Sequence, residues 1–493
     1  MNSLKNIVIL GGGTSGFISA FVLKKKIPTL NIQIIKSSKI DIIGVGEGST
    51  ENFTKFINYV DIDYIDLVRY CGATFKAGIM FKNWNQENFL QSIGDGFNYS
   101  IDGYPCIYAH LIKNKLSNHL FVPDHALNSK VNTYFLQDKT ISPTLQFHFD
   151  NFKLNSYFEN LAKKRGIQVI YDDIQNVILD NNGNIEKLES PSNVYYGDFF
   201  IDASGFKKFL LNKLGCNWQS WSSYLKVNSA FTFQTDAEDK IDMWTTAQAM
   251  DNGWLFKIPL MDRNGNGYIF DNSFTTLLDA KTEVENFLGH SIDVGREFTF
   301  DPGYVKQPWI KNCCAIGLSS SFVEPLEASS IGVTIEQSFL LSSSLINYND
   351  YVVNRYNNIN EKILENVRDF ISLHYVTKKT NTPFWKHINQ NLILSPKLST
   401  LLEIWKNKLP SKSDFYEYSP YCLFSELHFI LILNGLKLFN TNNIKVEYQN
   451  TINQNDELEI LNILEHQRTL ICDTIPHRLM LECIINLKKE NYE

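Results

Sequence analysis

The first strong pattern in the chain is Ile7-Val8-Ile9-Leu10, four consecutive apolar residues that stop at Gly11-Gly12-Gly13-Thr14-Ser15-Gly16. From Phe17 to Lys26 apolar residues return at helical spacing. An apolar run bounded by glycine predicts a buried strand, and the change of period predicts a helix directly after the turn. A second strand is predicted over Ile32 to Ile35. Farther along, Leu154 to Arg165 reads as an amphipathic helix stopped by Gly166, then a strand at Val169-Ile170 and a hairpin turn at Asn181-Asn182-Gly183. Phe199-Phe200-Ile201 is another apolar strand, ending on Asp202-Ala203-Ser204-Gly205, and Trp254 to Ile258 is a strand closed by Pro259. Beyond residue 390 helices dominate, one carrying Leu401, Leu402, Ile404 and Trp405 and another spanning Phe424 to Leu438. Strands alternating with helices predict an α/β chain.

Strand, glycine turn and helix in that order form the cradle of a dinucleotide pyrophosphate. Gly11 permits the tight turn, Gly13 lets backbone N–H groups approach the phosphates, and Gly16 lets the helix lie close to the strand. The second strand should end on an acid for the adenosine ribose, and this chain has Lys36 there. The ribose is then held by water or backbone, or Lys36 approaches a phosphate. The return of an apolar strand to the cofactor at Asp202 and Gly205 favours FAD over NAD. The expected fold is therefore an FAD-binding, glutathione-reductase-like (Rossmann-type) α/β fold with a closely packed substrate region. Residues 1–390 form one composite module in this reading, and residues 391–493 a mainly helical subdomain that contributes to the substrate pocket.

Composition narrows the class further. At 493 residues with 44% hydrophobic and 13% aromatic content, the chain can bury a large core, which excludes disorder. A net charge of −7 without long blocks of like charge makes nucleic acid a poor partner. The 8 cysteines include no Cys-x-x-Cys pair and no histidine spacing suited to zinc, so reduced thiols and no metal are expected. A strand begins within the first six residues, leaving no room for a secretory signal, and a cytoplasmic location is expected. No apolar stretch approaches the ~18 residues of a membrane span.

Two further segments carry chemistry. Glu324-Pro325-Leu326-Glu327-Ala328-Ser329-Ser330 resembles the active-site segment of flavin-dependent halogenases, and Ala73-Thr74-Phe75-Lys76-Ala77-Gly78-Ile79 resembles their lysine segment. Trp254-Leu255-Phe256-Lys257-Ile258-Pro259 is similar to the Trp-x-Trp-x-Ile-Pro signature of these enzymes, the tryptophan halogenase family, with Phe256 in place of the second tryptophan. Val367-Arg368-Asp369-Phe370 to His374-Tyr375 and Asn381-Thr382-Pro383-Phe384-Trp385 also look like that family, so the resemblance covers roughly residues 5 to 390.

The resemblance implies FAD used as FADH2, supplied by a flavin reductase, with O2 and a halide (chloride, bromide or iodide) giving hypohalous acid. Lys76 would guide that oxidant, and Glu327 would pair with the lysine, stabilise the attacked ring or accept its proton; Glu324 is the rival in another register. Backbone N–H groups at Ser329 and Ser330 would hold the halide, although the family has Thr-Gly there, and Ala328 stands where tryptophan halogenases usually have serine. Implied cofactor contacts are Gly11, Gly13, Thr14, Ser15, Gly16, Lys36, the loop Gly44-Val45-Gly46-Glu47, Asp202, Gly205 and Gly317. The substrate pocket would draw on Phe97, Tyr99, Tyr104, Trp254 and Phe256. The His-Pro-Phe segment that sandwiches indole in tryptophan halogenases is missing from Phe97 to Asp102, so a small electron-rich aromatic other than free tryptophan is expected, in a homo-oligomeric enzyme. Two alternatives stand beside this reading: an aromatic monooxygenase, which requires substrate to reach the flavin directly, and a redox-responsive flavin module with a vestigial site.

Overall fold

A computed structural model describes residues 4–39, 46–92, 100–101, 103–116, 118, 124–133, 146–418, 420–469 and 474–487. Gly44, Val45, Phe97 and Tyr99 lie outside the described residues. The elements that position the site are, in chain order, β1 (Asn6–Leu10), α1 (Thr14–Lys26), β2 (Asn31–Lys36), β3 (Thr74–Lys76), β4 (Gln146–Phe149), α2 (Asn151–Lys164), β5 (Gln168–Tyr171), β6 (Phe199–Asp202), β7 (Gly253–Pro259), α3 (Ser329–Ser344), α4 (Asp350–His374) and α5 (His477–Asn486).

β1 is central because it is apolar throughout its buried length. Parallel β6 lies on one side of it and parallel β2 on the other, with β5 beyond β2. Cys313–Ala315 continues the sheet past β6 in the same direction. All five strands end at the same edge, where parallel α/β sheets place their ligands. α1 is buried all round its first turns, Gly16 to Leu23, rather than on one stripe. Neighbours on two sides explain this: Phe17 and Phe21 meet Phe158 of α2 edge-on, and Ser19 hydrogen-bonds Ser338 of α3 at 3.1 Å.

A second, seven-stranded sheet runs in the order Val294–Thr299, Ser229–Asp236, Arg263–Phe270, β7, Trp244–Ala249, Gly78–Lys82, Phe89–Ser92. Alternation along β7 turns Trp254, Phe256 and Ile258 to one face, which looks onto the glycine turn. In a short three-stranded sheet, β4 pairs on one side with Glu47–Gly48 and on the other with β3. Because Gly48 and Thr74 both oppose His148, the loop that enters at Gly46 is laid beside the strand that ends at Lys76.

The helices after residue 390 share a core with α4, in which Phe370 stacks on Phe424 at 4.1 Å and contacts Phe429 at 4.9 Å. Asp369 fastens them further by accepting hydrogen bonds from Ser395 and Tyr418, each 2.9 Å. The last described elements leave this helical region. Thr474–Pro476 pairs with Lys130–Asn132, and α5 packs against the helix Tyr64–Cys71 ahead of β3. Seven described cysteines are free thiols, and no described helix is long and apolar enough to cross a membrane.

Candidate active site

A cavity of about 630 Å³ runs from the glycine turn to β7 and the start of α3, within the ~300–1,000 Å³ of sites that enclose a small-molecule ligand. Gly11, Gly13, Thr14 and Ser15 line one end, and Gly46, Glu47, Gly205 and Gly317 also face it. The N-cap of α1 is Gly13, which has no side chain to occupy the free N–H groups, and a Cβ there would meet no atom within 4 Å. That opening suits a pyrophosphate. Gly16 is set back from the wall: a Cβ on it would lie 2.0 Å from the Gly11 carbonyl oxygen, so its task is close packing of α1 on β1.

Two expected cofactor contacts behave differently. The carboxylate of Asp202 is fully buried, with Oδ1 accepting from Ser204 N, Ser204 Oγ and Ser319 Oγ and Oδ2 from Leu210 N and Leu211 N. The expectation that it faces the flavin is therefore corrected: Asp202 holds the turn that presents Gly205. Lys36 runs its stem under Gly12, and its ammonium is held by Glu159 and Asn155 of α2, each at 2.9 Å. Burial opposes the charge of Glu159, but bonds from Lys163, Tyr171 and Lys36 prevail and lower its pKa to about 2. Lys36 thus lines the cavity with its ammonium paired to an acid supplied by α2. At the same rim, Asp172 and Asp173 at the end of β5 line the cavity, a pair the sequence reading passed over.

At the other end β3 delivers Lys76, which is 1% exposed. Its ammonium donates to Ser49 O at 2.7 Å. Burial lowers the Lys76 pKa to about 8, with the charge of Glu327 acting in the opposite direction. A methyl placed on Gly48 would lie 3.3 Å from Lys76 Nζ, 3.3 Å from Thr245 Oγ1 and 3.6 Å from the Ala328 methyl, so all three converge on the cavity-lining backbone of Gly48. Glu47, one residue earlier, is partly buried and accepts from Asn151; burial raises its pKa to about 7 against that bond.

Two buried histidines lie beside the strand that carries Lys76. His148 Nε2 lies 2.9 Å from Thr245 Oγ1, and burial, with the charges of Lys76 and His477, holds the His148 pKa well below the usual imidazole value. His477, at the start of α5, accepts a hydrogen bond from Phe75 N at 3.0 Å through Nε2 and donates through Nδ1 to Ile241 O at 3.1 Å. Burial lowers its pKa to about 4 despite the Ile241 contact. It props the backbone of β3 one residue before the lysine.

Glu327 ends a single 3₁₀ turn, Pro325–Glu327, and is 3% exposed. No ion pair joins it to Lys76 within 4.0 Å; His374 Nε2 lies 2.7 Å from Oε1, and the Gln91 amide, in the orientation that turns its nitrogen to the acid, donates to both carboxylate oxygens at 2.6 and 2.9 Å. Of the three roles implied for Glu327, pairing with Lys76 is not made by direct contact: the two interact through space, while His374 and Gln91 hold the acid. Ala328, next in sequence, adopts a left-handed conformation (φ 51°), costly for a residue with a Cβ, and offers no side-chain cap to α3. Ser329 and Ser330 follow on the cavity wall, and Ser329 Oγ, buried, has no hydrogen-bond partner among the described residues.

Trp254 and Phe256 line this same cavity, with ring centroids 6.2 Å apart, so their bulk meets the cofactor position rather than a separate pocket. Tyr104 packs with the helix Cys106–Lys113 and the C-terminal helices, outside the cavity lining. Glu324 is fully buried and accepts from Tyr375 OH at 2.8 and 3.0 Å.

Burial raises the Glu324 pKa from 4.5 to about 8, although the Tyr375 hydroxyl opposes the shift. The folded protein therefore keeps this proton between about pH 4.5 and pH 8 while the unfolded chain releases it, and the stability contribution present below pH 4.5 is lost as pH rises to 8. Glu324→Gln should flatten the decline of Tm from pH 5 to pH 8, measured by thermal unfolding. Equal pH slopes in both proteins would mean that Glu324 is ionised in the fold.

The sequence profile of the tryptophan halogenase family matches residues 6–448. The chain is 29% identical over 444 residues to a tryptophan 6-halogenase of Streptomyces albogriseolus, covering 83% of each protein. It is 29% identical over 443 residues to a tryptophan 7-halogenase of Lentzea aerocolonigenes, covering 82% of each. Its structure superposes on that of a tryptophan 6-halogenase from Streptomyces toxytricini with a TM-score of 0.86 at 25% identity, covering 98% of this chain and 100% of the other.

Proposed function

Since this chain belongs to the tryptophan halogenase family of flavin-dependent enzymes, we propose that it halogenates a small electron-rich aromatic compound other than free tryptophan. The observation that carries the reading is the convergence of Lys76 Nζ, Gly48 and Ala328 at one end of the cavity whose other end is the glycine turn. FAD would be held by Gly11, Gly13, Thr14, Ser15, Gly46, Glu47, Gly205 and Gly317, with Asp172 and Asp173 at the ribose end. Bound as FADH2, delivered by a separate flavin reductase, it would supply with O2 and a halide ion the oxidation that yields hypohalous acid.

The rest is the work of side chains. The uncapped N-terminus of α3 at Ala328, with the free Ser329 hydroxyl, offers N–H and O–H donors to a halide anion. Trp254, Phe256 and Ile258 wall the cavity and keep an aromatic substrate from entering it. Lys76, with a pKa near 8, donates a proton to the oxygen of hypohalous acid. The halogen–oxygen bond breaks, a carbon–halogen bond forms, and the oxygen leaves as water. Glu327 accepts the proton released from the ring carbon, which restores aromaticity.

The exclusion of free tryptophan rests on the missing His-Pro-Phe segment. Indoles, phenols and pyrroles without an amino-acid tail should outcompete tryptophan when supplied together with flavin reductase, FAD, O2 and each halide, with products identified by halogen isotope pattern. An open pocket orients its guest weakly, so mixed regioisomers are expected. Tryptophan emerging as the best substrate, with a single regioisomer, would overturn the pocket argument.

A further inference from the structure

The proposed reaction leaves unanswered what keeps a buried carboxylate aimed correctly on a strained turn. Glu324 and Glu327 bracket that turn, and two successive residues at the end of α4 meet them: Tyr375 OH donates to Glu324, and His374 Nε2 lies 2.7 Å from Glu327 Oε1. His374 is completely buried, with the rings of Phe370, Phe81 and Trp84 at 5.0, 5.1 and 6.4 Å. Its Nδ1 lies 2.8 Å from the Phe370 carbonyl oxygen, which can only accept, so Nδ1 carries a hydrogen. One proton is then shared between Nε2 and Oε1, in either position leaving the pair neutral as a whole. Gln91 closes the other side of the carboxylate. Neither His374 nor Tyr375 lines the flavin cavity.

We propose that His374 and Tyr375 form a positioning clamp for the Glu324–Ala328 turn, His374 fixing the Glu327 carboxylate and sharing its proton, and Tyr375 anchoring the start of the turn through Glu324. The proposal rests on the role given above to Glu327. His374 touches neither cofactor nor substrate and acts through Glu327. When Glu327 takes the proton from the ring, the bond to Nε2 keeps the acid oriented. The net charge of the site then differs from the starting state by that single proton, which passes on to Lys76 once the lysine has given its own to the departing water.

The test uses the full chain with reductase, FAD, a halide and an indole. His374→Gln, His374→Phe, Tyr375→Phe and Glu327→Gln are compared for flavin binding, oxidation of reduced flavin, yield of scavengeable hypohalous acid, and kcat and KM of halogenation. Loss of one hydrogen bond to a charged group should lower kcat for His374→Phe on the order of 10-fold or more, and by less for His374→Gln, with KM, flavin binding and flavin oxidation unchanged. Tyr375→Phe should lose less. In His374→Gln, which keeps an N–H donor, the acid limb of the pH–kcat profile should move to higher pH, because a buried carboxylate without its imidazole partner holds its proton more tightly. A merely structural role would leave that limb in place. The clamp is overturned if the His374 variants halogenate normally while Glu327→Gln is impaired, or if flavin oxidation and halogenation fall together with an unmoved pH profile. Normal halogenation by Glu327→Gln would instead overturn the role of Glu327 itself.

Discussion

Lys76→Ala should bind FAD and oxidise reduced flavin at close to the wild-type rate, while halogen transfer falls by about 10² or more, the scale for removing a positioned proton donor. At ~1.36 kcal/mol per factor of ten, that is about 2.7 kcal/mol or more of lost transition-state stabilisation. The two activities separate because Lys76 lies beside the cavity wall rather than in it. It touches Ser49 O and the edge of Gly48, and no residue of the glycine turn depends on it. Truncation should not destabilise the fold, since a buried lysine whose pKa is lowered to about 8 is costly to keep charged at neutral pH. Product formation is measured with a scavenger that removes free hypohalous acid, so that unguided halogenation is not counted. A Lys76→Ala enzyme that halogenates at near-normal rate under those conditions would make Lys76 structural.

The second large effect is expected at Gly11. A Cβ there would lie 2.1 Å from the Ala203 carbonyl oxygen and 2.5 Å from its carbon, and the residue has φ +125°, a conformation that residues with a side chain rarely adopt. The clash falls at the joint between β1 and β6, where Leu10 pairs with Asp202. Strain of ~1–3 kcal/mol and overpacking of a similar size together cost Gly11→Ala roughly 2–6 kcal/mol. Against a total stability of ~5–15 kcal/mol, this brings the protein near unfolding. Gly13→Ala is the matched control. Its φ is −83° and a Cβ would meet nothing, so Tm should stay close to wild type while flavin affinity drops, because the methyl projects into the phosphate cradle. Thermal unfolding and flavin titration of both variants decide the matter; an unchanged Tm for Gly11→Ala would show that the turn can rearrange.

The parts of this site that were legible in the sequence are those whose cause is local. Ile7 to Leu10, the glycines after them and the helix that follows depend on side-chain period and backbone conformation within a few residues, and they form as expected. Lys76 and Glu327 were singled out because each sits in a segment that resembles a known family. Their partners were not. His374 stood in a family-like segment, yet nothing in its flanking Phe370, Ile371, Leu373 and Tyr375 points to Glu327, 47 positions earlier. Asp202 was read as facing the cofactor because it follows a strand and precedes a glycine turn, yet Leu210 N and Leu211 N, eight and nine residues later, take one of its oxygens. Lys36, which stands where an acid was expected, is paired with Glu159, 123 positions away. Hydrophobic period reports which side of an element faces the core, whereas pairing of buried polar groups is set by the tertiary fold.

The hydrogen bond from Phe75 N to His477 spans 402 positions. During synthesis at ~5–20 residues per second, the glycine turn and its sheet neighbours can assemble while the ribosome is still translating, but the prop beneath the lysine strand arrives at least ~20 seconds after that strand has emerged. A nascent chain therefore passes through an interval in which the glycine turn is in place before the strand that carries Lys76 is fully supported.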